Sequence, residues 1–288
     1  MSGPVRVPLA DPGLTRRTPG EEFALAVAGA GGAAADGVEV PLRVSLPATF
    51  PLAATRPRYT VRHLLKTASV VGGPVPYVRE PRPSGGPAAA GTTYGSTPEA
   101  GFRPTLESAG LTRLVARVPV PAGLLGEPAL LAAFVDHRVV VRLCTVENEA
   151  LLHGSADGVV PGLLAGDGLR EEKAAGGLGA AVTAAASDVE EMGGSCDGIV
   201  AHPRDYWRMV ESGLLGRLAE AGVRVSRTRM IAPGRLLLAD FRAAATLLDP
   251  ETSALRLVAD ADGPAVEAVT TVGLAVHLPQ HLLLLVDA

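Results

Sequence analysis

Aromatic residues are scarce in this chain: one tryptophan, four tyrosines and five phenylalanines, 3% of 288 residues. A core without them must be built from Ala, Val and Leu, which remove less apolar surface per residue, so part of the stability is expected to come from neighbouring subunits. Basic runs are missing too. The formal net charge is −4 and the only lysines are Lys66 and Lys173, so nothing announces a nucleic-acid groove. Cysteine is limited to Cys144 and Cys196, far apart and without CxxC spacing; that pattern speaks against a zinc site or a disulfide framework and for two buried, reduced thiols. Of the six histidines, His277 and His281 flank Pro279 in strand context, where a shared face is not assured, and no HExxH occurs, so no metal site is expected. Long apolar runs are absent: runs such as 282–286 are far too short to span a bilayer. The N-terminus lacks the order of a secretory signal, and a cytoplasmic protein is expected.

What is abundant is Ala, Gly and Pro, with hydrophobic residues at 47%. Seven prolines in residues 1–55 resist long helices, leaving only 21–28 for a short one. This segment reads as an extended arm that lies on something else, and 62–67 as a helical turn. Residues 71–102 are rich in Gly and Pro, and loops of that length are usually functional or held by a partner. Residues 111–120 alternate Leu114, Ala116, Val118 and Val120 and read as a strand, so the stretch before them fits one extended two-stranded arm.

From 127 to 152 the spacing changes to that of a helix. Pro128 suits the first turn. Leu130, Leu131, Phe134, Val135, Val139, Leu143, Val146 and Leu151 make the apolar stripe, and Gly154 stops it. At 26 residues the helix would be about 39 Å long, a spine rather than a packing element. Phe134 is expected in the core. A second helix spans 178–192, and His202-Pro203 opens a third. Short strands are expected at 198–201, 223–226, 236–239, 255–258, 266–277 and 282–286.

The motifs that imitate chemistry each lack a part. Gly29-Ala30-Gly31-Gly32-Ala33-Ala34 follows a candidate strand at 23–28 and fits the dinucleotide pattern GxGxxA, but no acid follows at the ribose position. Ser195-Cys196 lies between glycines, yet GxSxG is absent and no histidine is placed to orient a nucleophile. Glu147 and Glu149 point to different helix faces and read as solvated or interface charges. Trp207 reads as a packing anchor. No catalytic residue, cofactor or metal is assigned.

The order of elements nevertheless resembles a known family. The run Val146-Glu147-Asn148-Glu149-Ala150-Leu151-Leu152-His153-Gly154 is similar to the end of the spine helix in capsid proteins of the Hong Kong 97 type and in the encapsulins that share their fold. Val160-Pro161-Gly162-Leu163-Leu164 is similar to the segment after it. Residues 198–207, Gly-Ile-Val-Ala-His-Pro-Arg-Asp-Tyr-Trp, resemble the start of the family's axial domain, and 272–286 its closing strands. The resemblance covers about 60–288.

It implies an α+β capsid fold. An N-terminal arm (1–55) would lead to the start of the peripheral domain (56–70) and an extended loop (71–113). The rest of the peripheral domain (114–154) would carry the spine helix at 127–152. An axial domain (155–229) and remaining strands (230–288) would follow. The function it implies is that of a non-enzymatic shell protein. Copies would self-assemble into an icosahedral, encapsulin-like nanocompartment in the cytoplasm, enclosing cargo proteins. The alternative is a phage or prophage major capsid protein packaging DNA, and a third reading is a nucleotide-dependent enzyme using Gly29 to Ala34. Many encapsulins begin with a helix that helps receive a cargo peptide, and the proline-rich arm departs from that. The family also places a pore at the fivefold axis; by position its loop here is Glu211, Ser212, Gly213, Leu214 and Leu215.

Overall fold

In the computed structural model, which describes residues 18–32, 37–42, 61–81, 101–260 and 263–287, Thr18 caps the first helix, α1 (Pro19–Gly29). Its hydroxyl accepts from the Glu21 amide while the Glu21 carboxylate accepts from the Thr18 amide, a reciprocal box that satisfies two donors a helix start leaves open. Short strands follow: β1 (Glu39–Pro41), β2 (Lys66–Ser69), β3 (Val75–Arg79), β4 (Thr105–Ala109) and β5 (Thr112–Pro119). One helical run then extends from Pro128 to His153, as α2 (Pro128–Phe134), a π turn over Val135–Val139, and α3 (Val140–His153). Then come β6 (Arg170–Lys173), α4 (Leu178–Glu191), β7 (Gly198–Ala201), α5 (Pro203–Glu211), α6 (Leu214–Glu220), β8 (Arg224–Arg227), β9 (Arg235–Ala239), α7 (Phe241–Ala244), β10 (Ala245–Asp249), β11 (Ala254–Asp260), β12 (Gly263–Val276) and β13 (Leu282–Val286).

The chain divides into two compact units, and the long helical run and β12 give residues to each. In the first unit (Met1–Arg58, Leu114–Val146, Glu251–Thr270) α1 buries Phe23, Ala24 and Val27 and packs on α2. Gly20 is required there: a Cβ would lie 2.1 Å from the Ala132 carbonyl oxygen, and the Gly20 amide donates to Asp136 Oδ1 at 2.9 Å. The described part of the N-terminal segment therefore buries surface within its own unit. Residues 1–17 and 43–55 of the expected arm lie outside the described residues. β11 pairs antiparallel with both β1 and β12, and Arg256 bonds Glu39 at 2.9 Å across the first pair.

The second unit (Tyr59–Arg113, Glu147–Pro250, Thr271–Ala288) is built on a five-stranded sheet in the order β6-β13-β9-β7-β8. Val182, Val189, Ile199, Met209, Leu238 and Leu283 are central to its core. β10 pairs parallel with β2 and antiparallel with the end of β12, and β3–β4 form an antiparallel hairpin.

Three expectations need correction. Of the two readings of the first described segment, the short helix at 21–28 holds within α1 and the strand at 23–28 does not. Residues 66–69 are a strand and not part of a helical turn, because parallel pairing with β10 extends them. Phe134 is only half-buried, while Leu131, Val135, Val139 and Leu143 are completely covered. The wider i→i+5 turn at 135–139 keeps residues four apart in line and swings Phe134 off the core stripe.

Candidate functional site

The groups that imitate catalysis are spent on structure. Gly29 ends α1, whereas a pyrophosphate needs the start of a helix; Ala33 and Ala34 lie outside the described residues. Ser195 donates its amide to Asp240, and Asp197 accepts from the Phe241 amide, so the segment is a hydrogen-bonded turn. The Cys196 thiol is pushed up to about 12 by burial and by the charges of Asp197 and Glu190, far from a nucleophilic thiolate. Native protein at pH 8 is expected to leave Cys196 unmodified by iodoacetamide over hours, with labelling within minutes in denaturant; mass spectrometry of the peptide reads the difference. Among the described residues no cluster of three or more His, Cys, Asp or Glu could hold a metal, and no helix is long and apolar enough to cross a membrane.

The strongest polar site is buried. The guanidinium of Arg62 bonds both oxygens of Glu147, at 2.9 and 2.6 Å, and reaches Asp249 at 2.5 Å. Beside it the Val61 amide donates to Asn148 Oδ1 at 3.0 Å. Burial works against the Arg62 charge, but the Glu147 hydrogen bond and the charges of Glu147 and Asp249 outweigh it and hold the group above its ordinary value. Glu147 is 0% exposed, which corrects its reading as a solvated charge. The signal was in the spacing: 131, 135, 139, 143, 147 and 151 form one row, so Glu147 sits on the core stripe and needs a buried cation. Glu149 is exposed, as expected.

The end of the same helix explains its motif. The amides of Leu163 and Leu164 donate to the carbonyls of Leu151 and Leu152, both at 2.8 Å, capping a terminus that would otherwise leave acceptors open. Gly154 and Gly162 permit this return with φ of +95° and +78°, and a Cβ on Gly162 would lie 2.4 Å from the Gly154 nitrogen.

The five residues assigned to a pore do not form one open loop. Glu211 is the exposed last residue of α5, and Ser212 and Gly213 are exposed and make the turn, Gly213 at φ +68°. Leu214 is buried and Leu215 half-buried in the first turn of α6. Only Glu211, Ser212 and Gly213 face outward.

Exposed apolar side chains lie elsewhere. On the hairpin Val78 and Leu106 are register partners, 48% and 79% exposed. The hairpin base is fixed within its unit: His277 Nδ1 meets the Val78 carbonyl at 2.9 Å, and its ring stands edge-on to Tyr77 at 5.4 Å. Trp207, expected as a packing anchor, is 58% exposed beside Val210. Its flanking by Arg204 and Arg208, both exposed, is the mark of an outward face.

No protein-family model matches the chain, and no curated protein matches it in sequence. Solved structures do. A virus-like particle from Pyrococcus furiosus aligns with TM-score 0.55 at 12% identity, over 78% of this chain and 90% of its own. The capsid of a native GTA particle gives 0.53 at 15%, over 86% and 99%. A chain of Mycobacterium phage Cain gives 0.58 at 13%, over 86% and 95%. At these identities the likeness is one of fold.

Proposed function

We propose that this chain, which has the mixed α+β Hong Kong 97-type capsid fold, is the repeating, non-enzymatic subunit of a closed icosahedral shell, and within that class of an encapsulin-like compartment for cargo proteins. The observation that carries the reading is the extent of the fold match, which takes in nearly the whole length of particle-forming subunits. The exposed Val78–Leu106 pair agrees with it, since an apolar hairpin face calls for a neighbouring subunit. The encapsulin-like reading rests on α1. It is a capped helix packed on α2 with Leu25 half exposed; where the proline-rich sequence was expected to depart from the encapsulin N-terminal helix, a helix at this place supports the reading. The coverage of the phage chain favours the second reading, a capsid for DNA.

Light scattering of the purified protein is expected to report particles of at least sixty copies, the smallest icosahedral shell. Mass spectrometry of what co-purifies is expected to find one dominant protein and an absorbance ratio free of nucleic acid. Monomers or dimers only would sink the shell, and packed DNA would decide for the phage reading.

The wall must pass small molecules. In this reading five copies of Glu211 and its turn ring the fivefold axis and favour cations by their summed negative potential. Glu211→Gln is expected to slow cation entry into intact shells severalfold and to speed anion entry, without altering assembly. Identical stopped-flow entry rates in mutant and parent would remove Glu211 from the pore.

A further inference from the structure

The five-stranded sheet of the second unit has oppositely charged ends. At one end is β8, with α5 and α6 packed beside it. Residues 203–229 there hold six arginines against three acids, in a chain of net charge −4. Arg204, Arg208 and Arg229 are exposed, although Arg208 also meets Asp205 and Asp287. Among them stands Trp207, with the Arg227 guanidinium 4.7 Å from the Tyr206 ring centre and 5.5 Å from that of Trp207. An indole this exposed, stacked on a cation, is a common anchor at protein interfaces.

At the opposite end is β6. Residues 167–191 hold six acids against two bases. Glu172 on β6 lies against Asp188 on α4; burial, the hydrogen bond and the charge of Asp188 hold its carboxyl above the usual range. Asp188, Glu190 and Glu191 close α4, and no base lies in its last turn. Acids at that position oppose the helix dipole; Arg170, which bonds the Asp188 carbonyl at 2.9 Å and lies 3.9 Å from Glu172, offsets only part of this excess of negative charge.

We infer that the second unit binds a second copy of itself head to tail, the Trp207–arginine end of the sheet on one copy against the Glu172–Asp188 end on the next. The contact is heterologous: each copy offers both ends, and repetition about a rotation axis closes a ring. Guanidinium–carboxylate pairs fix the register, and Trp207 supplies the desolvated centre. The inference rests on the reading of the chain as a shell subunit, and names the contact by which neighbours meet.

The test uses the full chain in three variants. R204E/R229E makes the arginine end net acidic, and E171K/E190K/E191K makes the acidic end net basic; all five sites are exposed. Each single-end variant is expected to lose assembled particles by about tenfold or more while its circular dichroism matches the parent. The combined variant reverses both ends at once, so the contacts are complementary again, and assembly is expected to return. A measurement on the unmutated protein stands beside this: Trp207 is the only tryptophan, so its emission is expected to shift to the blue, and acrylamide quenching to fall, when subunits assemble. Single-end variants that assemble like the parent, a folded combined variant no better than either of them, or a Trp207 equally quenched in subunit and particle would each overturn the inference. A parent that never assembles would overturn the shell reading instead, and the inference with it.

Discussion

Arg62→Met is expected to destabilise the dissociated subunit by about 3–5 kcal/mol, the usual loss when one partner leaves a buried ion cluster. The substitution keeps the volume and removes the charge. Glu147 and Asp249 then face each other in a space from which the guanidinium, itself 5% exposed, is gone. Two like charges left together in a space closed to water have no compensating cation. Urea melts of the variant and the parent as dissociated subunits measure the loss. Equal stability would mean that the cluster does not hold the residue 62 turn, the helix and β10 together.

The second large effect concerns assembly alone. Val78→Asp with Leu106→Asp is expected to abolish particle formation while leaving the melting temperature of the subunit within a degree or two. Both side chains are largely outside the core, so surface substitutions there cost the subunit little. On a neighbour each would leave a desolvated charge with no partner. Particles that form at the parental yield would show that this hairpin face meets solvent in the shell.

Much of the fold was legible because its elements obey simple periods. β5 shows Leu114, Ala116, Val118 and Val120 all buried, with exposed residues between, and a half-buried strand cannot look otherwise. The elements that were missed are those whose conformation is imposed by a partner. β6, Arg-Glu-Glu-Lys, has no strand character and is extended by parallel pairing with β13. β2 is held by β10 in the same way. β10 itself, Ala-Thr-Leu-Leu-Asp, is buried at all five positions and follows α7 without a turn residue, so neither alternation nor punctuation marked it. The π turn left no mark in the sequence either; Asp136 within it accepts from the Gly20 amide, a bond to a residue 116 positions away. At the candidate surfaces, Glu211 is exposed while the helix spacing carries Leu214 back to the core.

The place of β13 in the sheet has a consequence for timing on the ribosome. β13 lies between β6 and β9, and among the described residues it is the strand to which β6 is bonded. β6 is translated about 110 residues before β13, which at ~5–20 residues per second is a delay of roughly 5–20 s. During that interval the β7–β8 side of the sheet can form, while the strand that carries Glu171 and Glu172 has not yet met β13. If the two ends mate as inferred above, a nascent chain carries the arginine-rich end before the strand of the acidic end is paired.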